Sequence, residues 1–138
     1  MICIIRISGD VKLDYRVRET LNRLRLGKKY TCVVINPNKE EIGMINKIRN
    51  FIAFGIIENN VFEKLIEKRG KRIDKKKIID AKKVIESLEK GKKYEELNLK
   101  PFFRLHPARG GIDSKLHFPK GVLGDNGEKI NDLVVRML

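Results

Sequence analysis

Apolar positions alternate between short runs and helical stripes over the first 57 residues. Ile2 to Ile7 is a nearly unbroken, isoleucine-rich run closed by Ser8-Gly9-Asp10, which predicts a strand and a turn. Leu13, Val17, Leu21 and Leu24 then recur at steps of four, four and three, the signature of one helix face. Asp14 is placed to cap that helix, Arg16, Arg18, Arg23 and Arg25 fall off the stripe, and Gly27 is the expected terminator. Tyr30 to Ile35 predicts a second strand, stopped by Asn36-Pro37-Asn38. Asn38 suits the cap of a second helix. Glu40 and Glu41 stand in its first turn, where the helix dipole favours negative charge, and Met44, Ile45, Ile48 and Phe51 form its inner face. Ile52 to Ile57 predicts a third strand, with Gly55 marking a bulge or a close approach. This β-α-β-α-β order implies a small α+β or α/β unit with both helices packed on one sheet face.

From Glu58 the pattern changes. Val61, Phe62, Leu65 and Ile66 mark a third helix ending near Gly70, and Ile78, Ala81, Val84, Ile85 and Leu88 fit a fourth ending at Gly91. Tyr94 to Leu99 adds a short helical turn before Pro101. Phe102 to Gly127 then has no regular period, and it holds both histidines and five of the 11 glycines. Such long loops in small domains are functional or disordered. Phe102, Phe103, Leu105, Ile112, Leu116, Phe118, Val122 and Leu123 are more apolar anchors than a disordered tail carries, so an ordered irregular segment that meets a partner is expected. Asp125 or Asn126 caps a last helix striped by Ile130, Leu133, Val134 and Met137. The 138 residues are expected to form a single domain: a 1–57 core, a basic helical segment over 58–100, and an irregular loop with a C-terminal helix over 101–138.

Charge turns this outline toward a polyanionic partner. The chain carries 31 Lys and Arg against 18 Asp and Glu, for a net charge of +13, which points to nucleic acid before an anionic membrane. No apolar run approaches the roughly 20 residues of a spanning helix, and MICIIRISGD lacks the basic start and cleavage site of a signal peptide. The excess is distributed: 11 basic and 5 acidic side chains in 1–57, 14 and 9 in 58–100, 6 and 4 in 101–138. That spread suits a protein embedded in RNA better than one with a basic tail. The densest run, Lys68 to Lys77, places Lys68, Arg69, Lys71, Arg72, Lys75, Lys76 and Lys77 around the one acid, Asp74. A charge run of this kind is ordinarily a solvated face; on so basic a chain, phosphate contact is the better reading.

Other chemistry is thin. His106 and His117 stand eleven apart with no cysteine or carboxylate cluster at ligand spacing, so no metal and no cofactor is expected, and packing within the loop is their ordinary role. Stacking of His106 on RNA is an intermediate option. Gly121, Gly124 and Gly127 match neither a dinucleotide nor a phosphate-loop fingerprint and read as turns with positive φ. Pro107-Ala108-Arg109-Gly110-Gly111 is more suggestive, because two glycines let a backbone approach phosphate while a guanidinium forks onto it. Cys3 and Cys32, on the first two predicted strands and without CxxC spacing, read as free, buried thiols in a reducing cytoplasm.

Two stretches carry a resemblance. GMINKIRNFIAFG at 43–55 with the helix VFEKLIEKRG at 61–70 is one; FRLHPARGG at 103–111 running on to GEKINDLVVRML at 127–138 is the other. Together the chain resembles, over essentially its whole length, the large-subunit ribosomal protein family numbered thirty in bacteria and archaea and seven in the eukaryotic cytosol, in its archaeal form. The resemblance implies a ferredoxin-like three-stranded antiparallel sheet in the order three, one, two, with two helices on one face. It also implies a cytoplasmic, ribosomal RNA-binding protein with no enzymatic activity and no small-molecule substrate. The partners it implies are 23S-type RNA and neighbouring ribosomal proteins, with 5S RNA a further candidate. Its RNA-facing features map onto Arg104, His106, Arg109, Gly110 and Gly111, and the basic residues that follow, Lys115, His117 and Lys120, join them. Ala108 departs from the proline of many relatives, and 71–100 is compact where some members carry longer insertions. The rivals are a non-ribosomal module for transfer or messenger RNA, and a nuclease using His106 or His117.

Overall fold

A computed structural model describes residues 1–7, 13–36, 38–74, 76, 80–108, 121 and 123–138. The first 57 residues form β1 (Ile2–Arg6), α1 (Tyr15–Arg23), β2 (Thr31–Ile35), α2 (Lys39–Lys47) and β3 (Ile52–Ile56) in the expected order. Both expected caps are made: Asp14 Oδ1 accepts from Arg16 N at 3.3 Å and Asn38 Oδ1 from Glu41 N at 2.8 Å. Helix α1 stops earlier than Gly27. Leu26 N donates to Leu21 O at 2.8 Å and Arg25 N to Asn22 O at 3.0 Å, while Arg25 itself takes φ +63°. That is a Schellman ending, closed by the buried Leu21 and Leu26, with an arginine at the left-handed position glycine usually fills.

The remaining chain supplies α3 (Asn59–Arg69), α4 (Ala81–Glu89), a 3₁₀ turn at Glu95–Leu97, β4 (Phe103–Arg104), β5 (Gly124–Asp125), a 3₁₀ turn at Gly127–Lys129 and α5 (Ile130–Met137). Helix α4 begins at Ala81 and is capped by Asp80, which accepts from Lys82 N; Ile78 lies outside the described residues. Asp125 Oδ1 accepts from Gly127 N, and Gly124 and Gly127 have the positive φ expected of them.

The α+β class stands, and the sheet is larger than the three strands anticipated. Its order is β4-β2-β1-β3-β5. The centre is the antiparallel three-one-two arrangement, with Ile4 opposite Val33 and Phe54. The irregular stretch adds a short strand at each edge: β4 antiparallel to β2, and β5 parallel to β3, which makes the sheet mixed. One segment thus closes both edges, which otherwise present unpaired backbone groups.

Strand alternation sorts side chains onto two faces. Ile4, Val33 and Ile52 meet Leu21, Leu24, Leu26, Ile45 and Ile48 from α1 and α2, as expected. Cys3, Ile5, Cys32, Val34 and Ala53 meet α3, α4 and α5 on the other. A sheet covered on both faces explains why the strands read as unbroken apolar runs rather than alternating ones. Phe103 anchors the second layer, with edge-to-face contacts to Phe62 at 6.4 Å and Tyr94 at 6.2 Å. Asn131, almost wholly buried, ties α5 to the sheet: its amide nitrogen donates to Ile56 O and Glu128 O, and its oxygen accepts from Glu58 N at the start of α3.

Cys3 and Cys32 are free thiols, fully buried, with sulfurs 3.2 Å apart. Burial, and then the contact with Cys3, pushes the Cys32 thiol well up. Burial, with the neighbouring thiols, likewise pushes the Tyr94 phenol up. Its hydroxyl donates to Val34 O and so satisfies a β2 edge carbonyl beyond the reach of β4.

Candidate nucleic-acid interface

The basic run from Lys68 is not a loose tether. Lys68 and Arg69 occupy the last turn of α3, where positive charge suits the helix dipole, and Gly70 caps the helix by donating to Ile66 O. Gly70 is needed there, since a Cβ would fall 2.4 Å from Ile66 O. The chain then pairs with the segment before Pro101: Lys100 N donates to Lys71 O, Ile73 N to Asn98 O, and Arg72 bridges Leu99. Asn98, at φ +62°, clamps the turn by donating to Asp74 O and accepting from Asp74 N. The run's one acid is spent on this turn, its carboxylate accepting from Lys76 N. Lys68, Lys71, Arg72 and Lys76 are consequently exposed along a hydrogen-bonded edge. Lys75 and Lys77 lie outside the described residues.

Arg104 is separated from this cluster by the sheet. It stands opposite Thr31 in the β2–β4 pairing, on the α1–α2 face, whereas Phe103 points into the α3–α5 layer. Arg104 is exposed, and its guanidinium lies over the Phe102 ring, 5.7 Å from the centroid.

His106 is engaged by its own chain. Its backbone N–H donates to Met137 O, its Nδ1 lies 2.7 Å from Pro107 O, and its Nε2 meets the main-chain oxygen of Leu138. The geometry supports the packing role: the ring holds the end of α5 against the strand that follows Pro101. Ala108, the departure from proline, is buried in the same layer. Arg109, Gly110, Gly111, Lys115, His117 and Lys120 lie outside the described residues. Among the described residues no three metal-ligating side chains come together, and no helix is long and apolar enough to cross a membrane.

The structure adds cations not singled out by sequence. The turn between α1 and β2, reading Arg25-Leu26-Gly27-Lys28-Lys29-Tyr30, exposes Arg25, Lys28 and Lys29, and the first two share a cleft with Arg104 and Phe102. Lys29 Nζ sits 5.0 Å from the Tyr30 ring centroid. Basic residues interleaved with aromatics at a helix-to-strand turn were the available signal. Arg25 and Tyr30 both have positive φ, at roughly 1–2 kcal/mol each for a residue bearing a Cβ.

Comparison with known proteins identifies the family. The family model described as Ribosomal protein L30p/L7e matches residues 2–52, which span β1 to the start of β3. A protein from Archaeoglobus fulgidus named Large ribosomal subunit protein uL30 is 35% identical over 99% of this chain and 99% of its own. The chain belongs to the L30p/L7e family. Relatives of the same name from Ignicoccus hospitalis (37% identical, over 98% of this chain and 96% of theirs) and Pyrobaculum arsenaticum (34%, over 98% and 93%) match nearly as fully. The family is a structural component of the ribosome and not an enzyme, which removes the nuclease alternative for His106 and His117. Its similarity extends past the matched β-α-β-α-β unit through α3, α4 and the closing helix, so the two-edged sheet belongs to the aligned length.

Proposed function

We propose that this L30p/L7e member is a structural constituent of the large subunit of the cytoplasmic ribosome that binds ribosomal RNA and supports subunit assembly. The observation that carries the reading is full-length similarity to proteins named for that subunit. Net charge of +13 supports it, because an RNA-embedded protein gains affinity by releasing counterions at many phosphates. Lys68, Arg69, Lys71, Arg72, Lys75, Lys76 and Lys77 form one contact region. Arg104, with Arg109, Gly110, Gly111, Lys115, His117 and Lys120, forms another, in which Arg109 forks onto a phosphate or base edge. His106 belongs to the same region, and its ring and backbone N–H also hold the end of α5 against β4. The RNA is 23S-type; contacts to 5S RNA and to neighbouring ribosomal proteins complete the partners.

Sedimentation of native cell extract tests the assignment: the protein should travel with large subunits, and a pool confined to small RNAs would support the non-ribosomal module instead. A salt titration of affinity for the cognate RNA fragment tests the residues. Arg109→Ala should cost about 1–3 kcal/mol, the worth of a bidentate base contact. Arg109→Lys should also weaken binding because it loses the planar fork. A single change among Lys75–Lys77 should lower the salt slope by about one unit or less. Wild-type binding by Arg109→Ala alongside a defective Lys75 variant would transfer recognition to the basic run.

A further inference from the structure

A cleft of about 320 Å³ opens where the α1–β2 turn meets the edge strand β4, lined by Asn22, Arg25, Gly27, Lys28, Thr31, Phe102 and Arg104. Its volume falls at the low end of small-ligand pockets, about 300–1,000 Å³. Among the described residues three cations line it and no acid does, which favours an anionic occupant. Its lining combines a half-buried aromatic ring under a guanidinium with the cations of Arg25 and Lys28. A nucleotide has the matching parts: a flat π-face and a phosphate.

The cleft is rigid. The nearly buried Arg6 reaches from β1 to donate to Leu26 O at 2.9 Å. Tyr30 N donates to Arg6 O, and Tyr30 O accepts from Leu105 N, so the turn is fastened to the central strand and to the edge strand at once. The Schellman ending aims Arg25 outward from a left-handed backbone that glycine would adopt more readily. Its acidic partner among the described residues, Glu95 at 3.5 Å, is half exposed like Arg25 itself. Such a surface pair is weak and exchanges readily for phosphate. A fully paired duplex keeps its bases stacked and cannot offer a free π-face to the Phe102 ring; an unstacked nucleotide can.

We propose that this cleft binds one bulged or otherwise unstacked nucleotide of an RNA chain, with its base on the Phe102–Arg104 pair and its phosphate against Arg25 and Lys28. The inference rests on the RNA-binding reading above and assigns it a second, structured site away from the Lys68–Lys77 edge.

The test uses the full chain and two RNA hairpins of equal length, one fully paired and one with a single bulged 2-aminopurine. Affinity is read by anisotropy at fixed ionic strength, and stacking by 2-aminopurine quenching. The bulged hairpin should bind about five-fold or more tightly, the lower end of what a base gains by stacking on an aromatic ring, and its fluorescence should be quenched. Arg25→Gly suits the left-handed turn, so its melting temperature should hold or rise while the bulge preference falls. Lys28→Ala should lose preference likewise. Phe102→Leu, which keeps apolar volume, should lose the quenching. Lys82→Ala with Lys83→Ala, on the exposed side of α4, should weaken both hairpins alike and leave the preference intact. Equal affinity of wild-type protein for the two hairpins, or failure to bind either, overturns the cleft, while the ribosomal reading stands or falls by the sedimentation test above. If the cleft instead holds an acidic segment of a neighbouring protein, a poly-glutamate peptide binds wild type but not Arg25→Gly while the hairpins bind alike, which also overturns the proposal.

Discussion

Adding one methyl group at Gly55 should cost far more than adding the same group at Gly43. Gly55 lies in β3 opposite Cys3, on the face covered by α5. A Cβ there would stand 2.2 Å from Gly127 O, 2.9 Å from Ile130 Cβ and 3.0 Å from Ile130 Cγ2. The nearest atom is backbone and cannot rotate away. The chain on either side is also pinned, by Asn126 N to Phe54 O at 2.7 Å and by Gly127 N to Asp125 Oδ1 at 2.9 Å. Relief of roughly 1 Å therefore requires moving the start of α5. Overpacking ordinarily costs about 1–3 kcal/mol. Full undocking of α5 would expose Ile130, Leu133, Val134 and Met137, each worth about 1.5–3 kcal/mol. We expect Gly55→Ala to fall at or above 3 kcal/mol, with a fall in Tm of about 10 °C given roughly 2.1 cal/mol/K per residue. Gly43 is an exposed residue inside α2 with nothing within 4 Å of its Cβ position. Gly43→Ala should stabilise by about 0.5–1 kcal/mol through helix propensity. Urea titrations of the two variants beside wild type measure both. A Gly55→Ala loss under about 1 kcal/mol, or a loss at Gly43, would refute the packing described here.

Further expectations concern buried polar groups and the outer layer. Asn131→Ala, which strips partners from Ile56 O, Glu128 O and Glu58 N, should cost about 1–3 kcal/mol in urea denaturation. Hydrogen exchange should then show early opening of α5; a loss below about 0.5 kcal/mol would mean that water replaces it freely. Tyr94→Phe leaves Val34 O without its donor and should cost a similar about 1–3 kcal/mol. Stability should also decline at alkaline pH. Cys32 and Tyr94 have folded-state values raised above unfolded ones near about 8.5 and 10. Their contribution is complete below those values and is lost as pH rises toward the folded ones. Urea midpoints between pH 7 and 10.5 should fall, and Cys32→Ala should flatten the early part of the decline; a flat wild-type profile would contradict it. A 1–57 fragment should show no cooperative melt and should bind hydrophobic dyes, because Cys3, Ile5, Cys32, Val34 and Ala53 lose their cover, whereas the whole chain should unfold in one transition.

Local signals in the sequence determined the element order of the first 57 residues. The Asp14 and Asn38 caps, the stripe from Leu13 to Leu24, and the isoleucine-rich runs each depend on neighbours within a few positions, and helix and strand periods expose them directly. The same locality made Gly55 legible as a close approach, since glycine inside an apolar strand has few other reasons to be there. Charge and composition pointed to RNA, for net charge is a property of the chain and not of its fold. Tertiary structure alone decided the rest. Nothing local distinguishes Phe103-Arg104 from loop, because β4 is only two residues long and exists by pairing with Thr31 and Cys32; β5 depends likewise on β3. The unbroken apolar runs were compatible with a sheet covered once or twice, and only the placement of α3, α4 and α5 settled that both faces are buried. No local signal showed that the His106 ring would meet the backbone oxygen of Leu138, 32 residues away. Arg25 fell off a helical stripe with no role assigned to it until a left-handed turn set it beside Lys28 and Arg104. Each of these joins residues far apart in the chain, and such pairing leaves no periodic trace in the residues that make it.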